Sequence, residues 1–458
     1  MTKSGYVLAG FETLSSILSN FITKSSRFKN NFTRDDVSNF LSTSLEGFLH
    51  SYGQNFGKRK SYSNYNQKEQ ELLQKCRETG FFDKTNFIVD SGGFQISIGK
   101  LSRKESELLF DLYYQWLQDA HKVYDRAFIL DVPPGPNCKI FHNFNDVYDF
   151  NLRSYTTAAQ LPEEIRKKII YIHHFRTPML WRIYTKILHD EAMFSKFQRF
   201  GTGGIVANSA GDLTIPCIIY VLPLVPLLKE AKQAGYQSLK FHILGGANLR
   251  DVFLYKLFEK HILIEHGISL KVSYDSSGIF KQVMIGRFIF VKDMFGNYSK
   301  LDIRSEKLRL RYGKETVYEK LQRVLNDFAS KWNFQSISLD GVYDPESGTF
   351  WDDVRVYLML YALGIYADLE EHLTNLVDEI YSYYNTNEEK FYQECLSITK
   401  MLNGGKISKK QQIKTQSVIK SLRMLSELNE SFCEHLINKY LSKDEFVDLD
   451  TKSKILTV

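Results

Sequence analysis

The sequence predicts a (β/α)8 barrel with a late β-hairpin insertion and a C-terminal helical domain, and three observations carry that prediction. Short apolar runs end in polar or glycine-rich turns at 87–90, 127–131, 169–173, 203–207, 239–246 and 270–275. Their ends fall roughly 30 to 42 residues apart, the length of a strand, a loop and a crossover helix. Helical patterns fill the gaps at 103–123, 178–191 and 249–259. The third observation is chemical. Asp90, Asp131, His173, the Gly245-Gly246 pair and Asp275 stand at or near the C-terminal ends of the runs, and only Gly203-Gly204 opens its run. The period also fits a doubly wound open sheet. An open sheet would spread these groups along an edge, whereas a closed barrel gathers them at one mouth.

The remaining elements follow in chain order. The first strand is expected at 6–10. Residues 21–80 exceed what one strand needs and read as an N-terminal helical insertion, with a helix over 21–48. The segment 336–342 is the candidate for the last strand. After Asp275 the pattern breaks, and 287–292 and 300–304 flank Met294-Phe295-Gly296-Asn297 as a hairpin with a glycine turn. From about Trp351 the chain is helical, with segments at 354–366, 370–384, 388–401 and 411–428. These divide the chain into a barrel domain, 1–345, and a helical accessory domain, 346–458.

At 458 residues and 43% hydrophobic, the chain can bury a large core. A formal charge of +6 permits nucleic-acid binding, and an ordinary solvated surface explains it equally well. The five cysteines, Cys76, Cys138, Cys217, Cys395 and Cys433, are odd in number and form no C-x-x-C pair, which argues for reduced thiols in a cytoplasm. The N-terminal residues lack a continuous apolar signal core. The longest apolar run, 215–228, is too short to span a bilayer and carries Pro216, Pro223 and Pro226. It reads as a buried barrel helix, so no membrane association is expected.

Asp90-Ser91-Gly92-Gly93-Phe94-Gln95 follows the apolar run Phe87-Ile88-Val89. A buried strand would hold Asp90 in a fixed place, and the glycines would let another molecule approach the backbone. Taken singly, any strand-end Asp also reads as a helix cap. This hexapeptide resembles the signature of the guanine transglycosylases, which swap a guanine base in nucleic acid for a 7-deazaguanine. The resemblance extends in order over roughly residues 80 to 305. Phe128-Ile129-Leu130-Asp131 is similar to the family strand ending in a base-reading Asp. Gly203-Gly204-Ile205-Val206 resembles the glycine pair that faces the guanine oxygen, and His242-Ile243-Leu244-Gly245-Gly246 resembles the later glycine strand. Val272-Ser273-Tyr274-Asp275 occupies the place of the nucleophile.

The resemblance implies roles for these residues. Asp275 would attack the sugar C1′ and Asp90 would act as general acid and base, in the manner of retaining glycoside hydrolysis. Asp131 would accept hydrogen bonds from guanine N1–H and the amino group. Gly204 would offer its N–H to the base carbonyl. Ser91, Gly92, Gly93, Gln95, Gly203, Gly245 and Gly246 would line the base site, and His173 would read the base where the family shows a Gln. Tyr274 or Phe94 would stack on it, with a place in the core as the alternative for either.

Three departures refine the expectation. The tRNA-modifying relatives carry three close cysteines and a histidine for zinc after the nucleophile. Here there is no Cys between Cys217 and Cys395 and no His between His266 and His372, so neither zinc nor another cofactor is expected. His173-His174 replaces the Gln-Gly region, and Ser276-Ser277-Gly278-Ile279-Phe280-Lys281 replaces an arginine-rich loop. The parts tied to tRNA differ and the base-exchange parts remain. That pattern resembles the DNA-modifying branch, found in bacteriophages and some bacterial modification systems, which inserts bases such as preQ0. The expected substrates are DNA and a free 7-deazaguanine base, with tRNA as the alternative polymer and a non-catalytic binding subunit as the alternative role. Homodimerisation and a helicase-like partner are left open. Phosphate contacts are expected from Lys58, Arg59 and Lys60 in a loop rich in aromatics, from Lys281, and from Lys406, Lys409 and Lys410 in a helical segment that has no acid between Glu394 and Glu427.

Overall fold

A computed structural model describes residues 4–9, 14–16, 18, 33–54, 56–58, 61–135, 137–138, 140–190, 192–203, 218–246, 248–276, 278–293, 295–304, 307, 310–312, 315–336, 338–339 and 352–440. Eight parallel strands close into a barrel: β1 (Tyr6–Ala9), β2 (Gly47–Ser51), β3 (Asn86–Asp90), β4 (Arg126–Phe128), β5 (Ile169–Ile172), β6 (Arg199–Thr202), β7 (Ser238–Ile243) and β8 (Ser269–Ser276). Pairing of β1 with β8, Val7 opposite Asp275, completes the closure.

The outer ring comes from α1 (Arg34–Ser44), α2 (Tyr65–Glu78), the short α3 (Gly93–Ser97), α4 (Arg103–Asp119), α5 (Phe144–Gln160), α6 (Pro178–Asp190), α7 (Leu224–Gln233) and α8 (Leu249–His266). Their starts are chemically marked. Thr33 with Asp36 and Ser102 with Glu105 form capping boxes, and Asn143 caps α5. After β8 come α9 (Gly278–Met284), the hairpin β9 (Phe288–Lys292) and β10 (Tyr298–Asp302), and α10 (Val317–Lys331). Four further helices follow: α11 (Asp352–Tyr381), α12 (Glu388–Met401), α13 (Lys409–Glu427) and α14 (Glu430–Tyr440). No helix among the described residues is long and apolar enough to cross a membrane.

Several expectations need correction. The stretch expected as a helical insertion holds α1, β2 and α2, so it supplies a regular barrel unit. Gly47-Phe48-Leu49-His50-Ser51 is short, opens on glycine and ends on polar residues, which hides its strand character. With β2 in place, Ser269–Ser276 is the last strand of the barrel. Ser336, Ser338 and Leu339 form no strand, and the rest of 336–342 lies outside the described residues. The sixth strand lies upstream of the expected 203–207, and residues 204–207 lie outside the described residues. The apolar run at 215–228 is divided, with Ile218–Val221 and α7 separated at Pro223, and its first residues lie outside the described ones.

The long helix α11 fuses two expected helices and packs against both α8 and α1, which closes the ring after β8. Its Glu370 accepts hydrogen bonds from Gly5 N at 2.6 Å and the Tyr274 hydroxyl at 2.7 Å, and pairs with Lys256 at 2.9 Å. One buried carboxylate thus ties α11 to β1, β8 and α8. Tyr366 stacks on Tyr6 just above it, with ring centroids 4.4 Å apart. Glu370→Ala leaves Lys256 and two donors underused, and is expected to cost about 3 kcal/mol in urea unfolding. A loss below about 0.5 kcal/mol, the value of an ordinary surface change, would contradict this account of barrel closure.

Candidate active site

The ladder fixes which side chains face the barrel interior. Partners across parallel strands point the same way, and neighbours along a strand alternate. Ser51 pairs with Asp90, Ile88 with Arg126, Ile172 with Gly201, His242 with Ser273, and Val7 with Asp275. These form one inward set, which ends at the C-terminal mouth in Ser51, Asp90 and Asp275. Asp131 and His174 lie just beyond the ends of β4 and β5.

Asp90 is held from several sides. Ser51 Oγ donates to Oδ2 at 2.8 Å and Gly92 N to Oδ1 at 3.4 Å. Tyr52 N donates to the Asp90 carbonyl at 2.9 Å. Behind it Tyr52 packs against Tyr65, Tyr113 and Trp116. The turn is built on contacts that exclude side chains. Gly92 adopts φ +87°, and a Cβ there would lie 2.4 Å from Gly53 Cα. A Cβ on Gly93 would lie 1.9 Å from the Asp131 carbonyl oxygen. The glycine pair therefore brings the end of β3 onto the backbone of the Asp131 loop. Burial pushes the Asp90 carboxyl up to about 6. The Ser51 hydroxyl and Gly92 N–H hold it down, while Asp131 and Asp275 push it up. Asp131 and Asp275 thus both act on Asp90 at the mouth. Ser91 is buried, with its Oγ accepting from Gly93 N at 3.4 Å. Gln95 is half-buried on α3. Phe94 is 62% exposed on the same short helix.

Asp131, 9% exposed, receives His174 Nε2 on Oδ2, leaving Oδ1 for another donor. His174 Nδ1 is buried without a partner. A Cβ on Gly203 would come 2.7 Å from His174 Cε1, so only glycine leaves room for this ring. Gly203 follows the end of β6, so it sits at the mouth with the other groups and does not open a strand. His173, expected to read the base, points the other way. It packs on Trp181, sits 3.3 Å from Thr185 Oγ1 on α6, and burial lowers its pKa to about 3. Alternation explains the exchange, since adjacent histidines at a strand end face opposite sides.

Asp275 is 7% exposed and accepts Gly245 N on Oδ1 at 2.8 Å. Gly245 has φ +83°, which turns its N–H inward. His242 Nε2 stands 3.4 Å from the same oxygen, and its Nδ1 lies 2.9 Å from Ser273 Oγ. Gly246 leaves space for the Tyr255 hydroxyl, which donates to its carbonyl at 2.7 Å. Tyr274, expected to stack on a base, faces outward and donates to Glu370. Of the two stacking candidates, Phe94 alone is exposed at the mouth.

The expected nucleic-acid contacts are only partly among the described residues. Tyr52, Phe56 and Tyr65 of the polar loop are core residues, with Phe56 stacked on Tyr62 at 4.4 Å, so they are not free to grip a strand. Lys281 is exposed on α9, and Lys406 and Lys409 are exposed beside the Gly404-Gly405 turn, which rests on the hairpin. Gly204, Arg59, Lys60 and the side chains of Lys58 and Lys410 lie outside the described residues. A groove of about 570 Å³ beside α3, lined by Lys100, Arg103 and His142 among others, was missed by motif reading. Ser51, His174 and His242 were also missed as site residues. Among the described residues no three His, Cys, Asp or Glu side chains are grouped to hold a metal ion.

The raised Asp90 pKa has a thermodynamic consequence. The folded state holds the proton more tightly than the unfolded chain, so stability falls as pH rises from about 4 to about 6. Asp90→Asn is therefore expected to be more stable than the parent above pH 6, with the gain fading below pH 4. Urea melts at both pH values test this, and a variant that is less stable at pH 7 would contradict it. No family model matches this chain, and no curated protein matches it significantly.

Proposed function

We propose that this barrel is a guanine transglycosylase that exchanges guanine in DNA for a free 7-deazaguanine base. The observation that carries the reading is the mouth itself. Asp90, with its raised pKa, shares a field with Asp131 and with an Asp275 already held by a backbone N–H. Asp275 attacks the sugar C1′, the C1′–N9 bond breaks, and Asp90 gives a proton to the departing guanine. Asp90, now a carboxylate, takes the N9 proton of the incoming base. That nitrogen displaces Asp275 from C1′ and restores the original configuration. A carboxyl with a pKa of about 6 can serve as acid in the first step and base in the second near neutral pH. Asp131 Oδ1 accepts from the N–H edge of the base, His174 fixes Oδ2, and Phe94 offers a stacking face. The target base must leave the helix stack to reach this mouth.

The test is base exchange with the full chain and radiolabelled preQ0, offering duplex DNA, single-stranded DNA and unmodified tRNA separately. Incorporation into DNA is expected with wild type, and Asp275→Ala should reduce it at least roughly a thousandfold. Label in tRNA alone would move the chain to the tRNA branch. Abasic sites without incorporation would make it a base-releasing glycosylase, and no reaction at all would favour a binding subunit. His174→Ala should raise KM for the free base roughly tenfold with a smaller change in kcat, because it frees Asp131 from its hydrogen bond. An unchanged KM would remove His174 from base binding.

A further inference from the structure

The opposite end of the barrel carries an unexpected charge pattern. Arg199 on β6 pairs in register with Lys240 on β7, and Lys240 pairs with Lys271 on β8. Three cations thus stand side by side, one strand spacing of about 4.8 Å apart at the backbone. The alternation that sends His242 and Asp275 inward sends Lys240 and Lys271 inward as well. Arg126 at the start of β4 joins them, because its pairing with Ile88 places it in the same inward set, and its charge acts on both Arg199 and Lys240.

Among the described residues, the one carboxylate that acts on all four cations is Glu46. Glu46, just before β2, pairs with Arg126 and lies 3.4 Å from Lys271. Arg199 and Lys240 have no ion-pair partner among the described residues, and Arg199 Nε is buried without a hydrogen bond. Burial, followed by the Arg126 charge, lowers the Arg199 pKa to about 10, and Arg199 is the largest cause lowering that of Lys240. Like charges directly opposite in a sheet are destabilising. The N-terminal end of a barrel ordinarily contributes stability and not function. A row of like charges there fits a site whose counter-charge comes from outside. Lys240 and Lys271 are exposed, so the row opens to solvent.

We propose that the N-terminal end of the barrel binds a phosphate-type anion between Arg199, Lys240, Lys271 and Arg126. Guanidinium groups supply paired N–H donors, and the lysines add point charge. The site lies at the end of the barrel away from Asp275 and does not depend on the proposed base exchange.

The test uses the full chain, with thermal unfolding in inorganic phosphate and in chloride at equal ionic strength. Wild type is expected to gain about 3 °C or more in phosphate, saturably. Lys240→Met, which removes an exposed side chain, is expected to lose that gain while remaining folded. Arg199→Met should lose it too. Line broadening of the phosphate ³¹P resonance by wild type, and not by Lys240→Met, provides a second readout. A gain equal in chloride, or one retained in both variants, would overturn the proposal. A short duplex oligonucleotide that displaces phosphate would assign the site to phosphodiesters, and no displacement would assign it to free phosphate or monoesters.

Discussion

The two-residue alternation of a closed parallel barrel is the constraint on which everything else rests. Closure between β1 and β8 fixes the register of β8, and that register sends Lys271, Ser273 and Asp275 inward while Leu270, Val272 and Tyr274 go outward. A slip of one residue would put Tyr274 at the mouth and bury Asp275 under α11. Glu370 guards against that slip from outside, because it accepts the Tyr274 hydroxyl and Gly5 N together. Packing on the outer face thus sets the chemistry available on the inner one.

At the mouth, the same geometry sets electrostatics. Burial, with the nearby charges of Asp131 and Asp275, raises the pKa of Asp90. Asp275 accepts a backbone N–H from Gly245, and Asp131 meets the His174 ring. The glycines are the means of approach. Gly92 meets Gly53 and Gly93 meets Asp131 backbone to backbone, and Gly203 leaves room for His174. Any side chain at these positions would push the acids apart.

Much of this was legible in the sequence. The strand ends carrying Asp90 and Asp275 follow apolar runs with clear turn chemistry, so both the barrel and these acids could be read directly. Strand β2 could not, because Gly47, His50 and Ser51 dilute its pattern and its aromatic neighbours Tyr52 and Phe56 lie in what reads as a polar loop. The choice between His173 and His174 turns on a single residue of phase at a strand end, which composition does not encode. The choice between a stacking and a core role for Tyr274 turns on the same phase, and the structure gives it the core role. His242 lies one turn of the pleat below the mouth, and its contact with Asp275 depends on the pairing of β7 with β8, which no local motif reports. The row of cations at the other end is equally invisible in sequence, since Arg199, Lys240 and Lys271 become neighbours only through register.

Trapping the covalent intermediate tests the central claim most directly. The full chain would be mixed with a guanine-containing oligonucleotide, without incoming base, quenched in acid and examined by mass spectrometry with peptide mapping. The account predicts an adduct equal to the oligonucleotide less guanine, carried on Asp275 and absent from Asp275→Asn. An adduct mapped to Asp90 or Asp131, or base exchange proceeding with no adduct and undiminished in Asp275→Asn, would contradict it.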